Sequence, residues 1–142
     1  MTKKFRSQCP IASALDILGD KWTLVIIRDM LFVGKKTFKE LSDSDEKIAS
    51  NILSNRLKLL ESHKIITKSK IDGNNKTIVY TLTEKGVTLA PVLVELVAWS
   101  SKSVREFNPK MVSEDSSLIQ SVEHDKNRMV EKAQAEYRKL NM

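Results

Sequence analysis

The sequence predicts a mainly α protein that carries one small two-stranded β-hairpin. Apolar residues recur at helical spacing through most of the 142 residues, which is typical of amphipathic helices. Residues 66–82 break this pattern and read ITKSKIDGNNKTIVYTL, two strand-like runs around the turn residues DGNN. With 41% hydrophobic and 30% charged residues, the chain has the composition of a globular protein with one modest core.

Two helices are predicted on either side of the Gly19-Asp20 pair. Pro10 suits the first position of a helix over CPIASALDILG, and Gly19 suits the residue just past its end. Asp20 is a suitable N-cap for a second helix, KWTLVIIRDMLF. The apolar face of the first helix consists of Ile11, Ala14, Leu15 and Leu18. The buried stripe of the second consists of Trp22, Val25, Ile26 and Met30.

A short helix, a turn and a longer helix follow. TFKELSD places Phe38 and Leu41 on one face with Thr37 as N-cap, and SDEKIA interrupts the pattern. A helix over about residues 49–62 then resumes it, with a polar outer face opposite its leucines. This order is the helix-turn-helix arrangement, and the hairpin directly after it makes the unit a winged helix.

Further helices are predicted beyond the hairpin. One begins after Thr83 and is bent or restarted near Pro91, and a last helix spans about 116–140 with one apolar side. NPKMVSED is the candidate linker, so we expect a winged helix-turn-helix domain over 1–107 and a helical extension for dimerisation over 108–142. The apolar side of the last helix consists of Ile119, Val122, Met129, Ala133, Tyr137 and Leu140.

Two motifs carry a resemblance to a known family. GDKWT at residues 19–23 and YTLTEKG at 80–86 resemble, in order and separation, the HxlR-type winged-helix transcriptional regulators, relatives of the MarR group. The similarity runs from about residue 9 to 99 and implies a homodimer that binds DNA. The chain departs from the family pattern at Thr37, Ala49 and Lys64 and at Lys76-Thr77 in the wing, which affects individual DNA-contact positions.

The polar face of the 49–62 helix supplies candidate DNA contacts. The major groove of B-DNA admits one α-helix, and Asn51 and Asn55, one turn apart, suit the edges of adenines. Ser50 and Ser54 suit bases or phosphates. The alternative is that these side chains belong to an ordinary solvated helix face.

Basic side chains on the helix and hairpin are candidates for the DNA backbone. Lys58, Lys68, Lys70 and Lys76 are expected at phosphates or in the minor groove, and Arg56 either acts in the same way or packs its stem across the wing. Residues 1–86 contain sixteen basic and ten acidic residues, an excess equal to the whole net charge of +6. A polyanionic partner would be attracted to this part of the chain. The alternative for the hairpin lysines is protection of an exposed strand edge.

The remaining composition argues against several other classes of protein. Arg28 and Glu95 interrupt the longest apolar runs, which leaves no span of the ~18 residues that a membrane helix needs, and we expect a cytoplasmic protein. His63 and His124 lack metal-ligand spacing, so neither a metal nor another cofactor is expected. The glycines are scattered and no catalytic ordering is present, so the protein is not expected to be an enzyme. Trp22 and Trp99 are predicted to be core or dimer-interface residues.

Cys9 is the only cysteine and therefore cannot form an internal disulfide. It lies at the start of the first predicted helix, where N–H groups, the helix dipole and the neighbouring Lys3, Lys4 and Arg6 favour a thiolate. Some members of the resembled family use an N-terminal cysteine as a thiol switch, and the resemblance places Cys9 at the matching position. The alternative is a small hydrophobe that packs the helix start.

These observations lead to two functional hypotheses. The first is a homodimeric, sequence-specific transcriptional regulator on a palindromic operator in double-stranded DNA, with a thiol response through Cys9 and a small-molecule or electrophile effector. The second is a winged-helix protein-interaction module whose basic face docks an acidic partner. Binding whose strength depends on DNA sequence would distinguish them.

Overall fold

The structure, a computed structural model, describes residues 4–71, 73–111 and 116–142. It is mainly helical with a two-stranded antiparallel sheet, which confirms the predicted fold class. Its packing forms two compact units, Met1–Val87 and Thr88–Met142. This division lies earlier than the boundary after residue 107 that the sequence suggests, and the functional boundary stays a prediction.

The first unit begins with α1, Pro10–Leu18, and α2, Thr23–Arg28, which continues as a π-helical turn over Asp29–Val33. The prediction of Asp20 as the N-cap of this helix is wrong by two residues, because α2 begins after Trp22, which provides no side-chain cap. Oδ1 of Asp20 nevertheless accepts the N–H groups of Trp22 at 2.8 Å and Thr23 at 3.0 Å. Gly34 ends the helix in the left-handed region with φ of 84°. In the predicted stripe of α2, Ile26 and Met30 are buried, whereas Trp22 and Val25 are only half-buried.

Helices α3, Phe38–Ser42, and α4, Ser50–Ser62, form the helix-turn-helix. Thr37 and Glu40 form a reciprocal capping box that fixes the start of α3. The leucines of α4 are spaced by about one helical turn, so they lie on one face of the helix. This face is buried, and the polar residues lie on the opposite face. These buried residues are Leu53, Leu57 and Leu60.

The wing consists of β1, Ile66–Ile71, and β2, Asn74–Leu82. The two strands pair antiparallel, with Ile66 opposite Leu82 at the base of the wing. Only this base of β1 is buried; the rest of the strand is exposed. The short helix α5, Glu84–Val87, follows. A Cβ at Gly86 would lie 2.5 Å from the carbonyl oxygen of Ile65, so this close approach requires the glycine of the YTLTEKG motif.

The second unit contains α6, Ala90–Ser103, α7, Ser116–His124, and α8, Lys126–Asn141. The prediction of one continuous helix over 116–140 is wrong, because Asp125 adopts an extended backbone with φ of −159° between α7 and α8. Its carboxylate accepts the N–H of Arg128 at 3.1 Å and so starts a new helix. Within the described ranges, no helix is long and apolar enough to cross a bilayer.

Candidate nucleic-acid interface

The polar face of α4 is presented to solvent. Ser50, Asn51, Asn55 and Lys58 are exposed and Ser54 is half-buried. Because residues three, four and seven positions apart share one side of a helix, the predicted contact residues form one strip. The strip begins at the first residue of α4, next to the helix-turn-helix turn.

The wing places its lysines along an exposed ribbon. Lys68 and Lys70 in β1 point to the same face of the hairpin, since alternate residues of a strand do so, and both are exposed. Lys76 in β2 is also exposed. Asp72, which follows β1 in the sequence, lies outside the described residues.

The wing and the helix-turn-helix are joined by backbone hydrogen bonds within the first unit. The N–H of Tyr80 donates to the carbonyl of Lys36 at 2.7 Å, and the N–H of Ile65 donates to the carbonyl of Leu60 at 2.9 Å. Between α4 and β1, Lys64 adopts a left-handed conformation with φ of 61°. A left-handed backbone favours glycine, so Lys64 lies at a position where a side chain is disfavoured.

Arg56 is the one predicted contact residue whose geometry differs from the others. Its Nη1 lies 3.4 Å from Oδ2 of Asp20, and its side chain is only 23% exposed. Partial burial raises the pKa of Asp20, but hydrogen bonds from Thr23 and from the backbone N–H of Trp22, together with Arg56, lower it further than burial raises it. This ion pair favours a structural role for Arg56 over packing across the wing.

Several charged residues around the helix-turn-helix turn were not singled out by the sequence analysis. Lys39 in α3 and Lys47 in the turn are exposed, and Lys47 adopts a left-handed backbone with φ of 58°. Arg28 binds Glu46 across the turn, and this hydrogen bonding lowers the pKa of Glu46 and raises that of Arg28 above its ordinary value. The sequence gives no periodic signal for a pair 18 positions apart.

Cys9 is exposed and is the residue that precedes α1, as predicted. Its N–H donates to Oγ of Ser7 at 3.2 Å, and its carbonyl accepts the N–H of Ser13 at 2.9 Å. Of the basic residues expected near the thiol, Arg6 forms an ion pair with Asp16. Lys4 is exposed, and Lys3 lies outside the described residues.

Exposed apolar side chains recur along α1 in the first unit and along α6 in the second, and Leu140 near the end of α8 is also 76% exposed. On α1, Ile11 is 72% and Leu15 is 52% exposed. On α6, Trp99 is 62% exposed and lies with Val92 and Leu96 along an open apolar surface. Trp99 is therefore not a core residue of the single chain, and its role at a dimer interface stays a prediction.

Comparison with known proteins agrees with this architecture. The model of the HxlR-like helix-turn-helix family matches residues 17–108. The HTH-type transcriptional regulator YodB of Bacillus subtilis (strain 168) is 36% identical over 97 residues, which cover 68% of this chain and 86% of YodB.

Solved structures show the same likeness. The crystal structure of PA1607 matches with a TM-score of 0.63 and 35% identity, covering 69% of this chain and 67% of that one. Reduced YodB from B. subtilis matches with a TM-score of 0.57 and 35% identity over 68% and 95% of the two chains. The redox regulator HypR in its oxidised form matches with a TM-score of 0.57 and 28% identity over 67% and 97%. The chain therefore belongs to the HxlR-like helix-turn-helix family of transcriptional regulators, as its two motifs predicted.

Proposed function

We propose that the protein is a homodimeric, sequence-specific DNA-binding regulator of transcription that acts in the cytoplasm on a palindromic operator. The observation that carries this proposal is that the polar face of α4 and the lysine-bearing wing are both exposed and belong to one compact unit. An α-helix with its side chains is about 10–12 Å across, which matches the ~12 Å width of the major groove.

Each part of this surface has a distinct role in the proposal. Asn51 and Asn55 read base edges, while Ser50 and Ser54 contact bases or phosphates from the start of the helix. Lys58 and the wing lysines neutralise phosphates and so add affinity without sequence preference. Lys39 and Lys47 extend the positive surface along the helix-turn-helix.

A second copy of the chain is the proposed partner for the exposed apolar surface. Reading a palindrome requires two recognition helices related by two-fold symmetry. In the second unit, Ile119, Val122, Ala133 and Tyr137 are already buried within the single chain. This burial favours α6, with Leu96 and Trp99, over the 116–140 segment as the surface that meets the second copy.

The proposal also includes a response to thiol reagents through Cys9. The thiol is exposed, and it is the only one in the sequence, so it would react by adduct formation or by a disulfide between two subunits. Structures of YodB include a quinone-bound form and a diamide-treated form. An electrophile is therefore the class of effector that we propose.

Selection of bound sequences from random DNA by the purified full-length chain tests the proposal. We expect recovery of a palindromic sequence that binds at least tenfold more tightly than random DNA at about 150 mM salt, with two chains per site. Binding that never rises above the level of random DNA would contradict the proposal and favour a protein-interaction module.

A further inference from the structure

A buried carboxylate at the end of α2 binds two cationic side chains. Asp29 is only 2% exposed. Its Oδ1 accepts hydrogen bonds from Nε and Nη2 of Arg28 at 2.9 Å and 2.7 Å, and its Oδ2 lies 3.2 Å from Nζ of Lys35. Asp29 thus holds both cations in fixed positions at the start of the π-helical turn.

Both cations also reach the turn that joins α3 to α4. Arg28 donates from Nη1 to Oε2 and from Nη2 to Oε1 of Glu46, each at 2.9 Å. Lys35 donates from Nζ to the backbone carbonyl of Asp43 at 2.7 Å. A two-pronged guanidinium–carboxylate contact fixes orientation as well as distance, because both groups are planar.

The start of α4 has little else to define it locally. Ala49 is its N-cap residue and provides no side-chain hydrogen bond to the first N–H groups, unlike the capping box of α3. The turn itself has Lys47 in a left-handed conformation, with its N–H donating to the carbonyl of Ser44 at 3.0 Å. Contacts from outside the turn therefore matter more for where α4 begins.

We propose that Arg28 and Glu46 are positioning residues for DNA reading, which hold the first turn of α4 so that Ser50 and Asn51 meet the base edges in register. The inference rests on the proposed DNA-binding function. Loss of the contact between Arg28 and Glu46 leaves the wing lysines and Lys58 in place. Discrimination between sequences therefore falls, while the number of phosphate contacts stays the same.

The test compares Glu46→Gln with Asp45→Asn in the full-length protein. Both changes remove one negative charge from the same exposed turn, but only Glu46 binds Arg28. The measured quantities are the ratio of affinities for the selected sequence and for random DNA, and the dependence of each affinity on salt. We expect Glu46→Gln to lower the ratio by about fivefold or more with an unchanged salt slope, and Asp45→Asn to keep the wild-type ratio.

The outcomes separate this inference from the proposed function. A wild-type protein that shows no preferred sequence contradicts the proposed function itself. If Glu46→Gln retains the full wild-type preference for the selected sequence, the positioning role of Arg28 and Glu46 is overturned. If Glu46→Gln has lost its native circular dichroism spectrum, Arg28→Lys decides instead, since it keeps the positive charge but cannot make both contacts to Glu46. A wild-type ratio in a folded Arg28→Lys protein would then refute the inference.

Discussion

The guanidinium of Arg56 on α4 lies 3.4 Å from the carboxylate of Asp20, which also accepts the N–H of Thr23, the first residue of α2. This pair ties the middle of α4 to the junction between α1 and α2. Asp20 belongs to the GDKWT motif, so this motif contributes an ion pair to α4.

Replacing Arg56 by alanine should lower the free energy of unfolding and should not remove a contact to DNA. We expect a loss of roughly 0.5–1 kcal/mol in the free energy of unfolding, since the pair is partly buried and screened by solvent. The matched control is Lys58→Ala, which removes an exposed cation two positions along the same helix. Urea unfolding measures the stability of both variants. A fall in the salt slope of DNA binding without loss of stability would instead show that Arg56 contacts a phosphate.

The lowered pKa of Asp20 predicts a dependence of stability on acid pH. The carboxylate is held ionised in the folded state, so its contribution is fully present above the ordinary carboxyl pKa of about 4 and is lost as the pH falls through the lower folded value. Asp20→Asn should therefore be less stable than wild type at neutral pH. The difference should shrink below about pH 4 in thermal or urea unfolding. A stability difference between the two proteins that stays constant from neutral pH to below about pH 4 would contradict the lowered pKa of Asp20.

The wing lysines should act on all DNA sequences alike. Lys68→Ala or Lys70→Ala should weaken binding to the selected sequence and to random DNA equally, and should reduce the slope of log affinity against log salt by about one per lost phosphate contact. Lys139→Ala, an exposed lysine in α8, is the control for loss of charge alone. Unchanged slopes in both wing variants would assign these lysines to protection of the strand edge.

The asparagines of α4 should act on particular base pairs. Asn51→Ala or Asn55→Ala should reduce discrimination at one base pair in each half-site, by roughly 1–3 kcal/mol. Alanine is the better helix former by about 0.5 kcal/mol, so the loss would not come from unfolding of α4. Repeating the selection with each variant identifies the position. Lys58→Ala is the control and should leave base preference intact. If the asparagine variants also keep the wild-type base preference, a different face of the helix lies in the groove.

The sequence predicted the helix-turn-helix and the wing because their signals are local. The leucine spacing of α4 and the DGNN turn determine these elements almost residue by residue. The break at Asp125 was missed, since the apolar spacing continues across it and only the carboxylate cap reveals the new helix. The Arg28–Glu46 and Arg56–Asp20 pairs were missed for a different reason: the two members of each pair lie far apart in the sequence and meet only in the folded chain.

The last prediction concerns Cys9, whose exposed thiol is the only one in the chain. Because no other thiol is present, any change in DNA affinity that is reversed by a thiol reductant should originate at this residue. Treatment of the wild-type protein with a quinone or with diamide should change its affinity for the selected sequence. Cys9→Ser keeps a small polar side chain before Pro10 and should bind DNA normally without responding to either reagent. Mass spectrometry and a non-reducing gel would distinguish an adduct from a disulfide between subunits. A Cys9→Ser protein that responds like wild type would end the switch hypothesis.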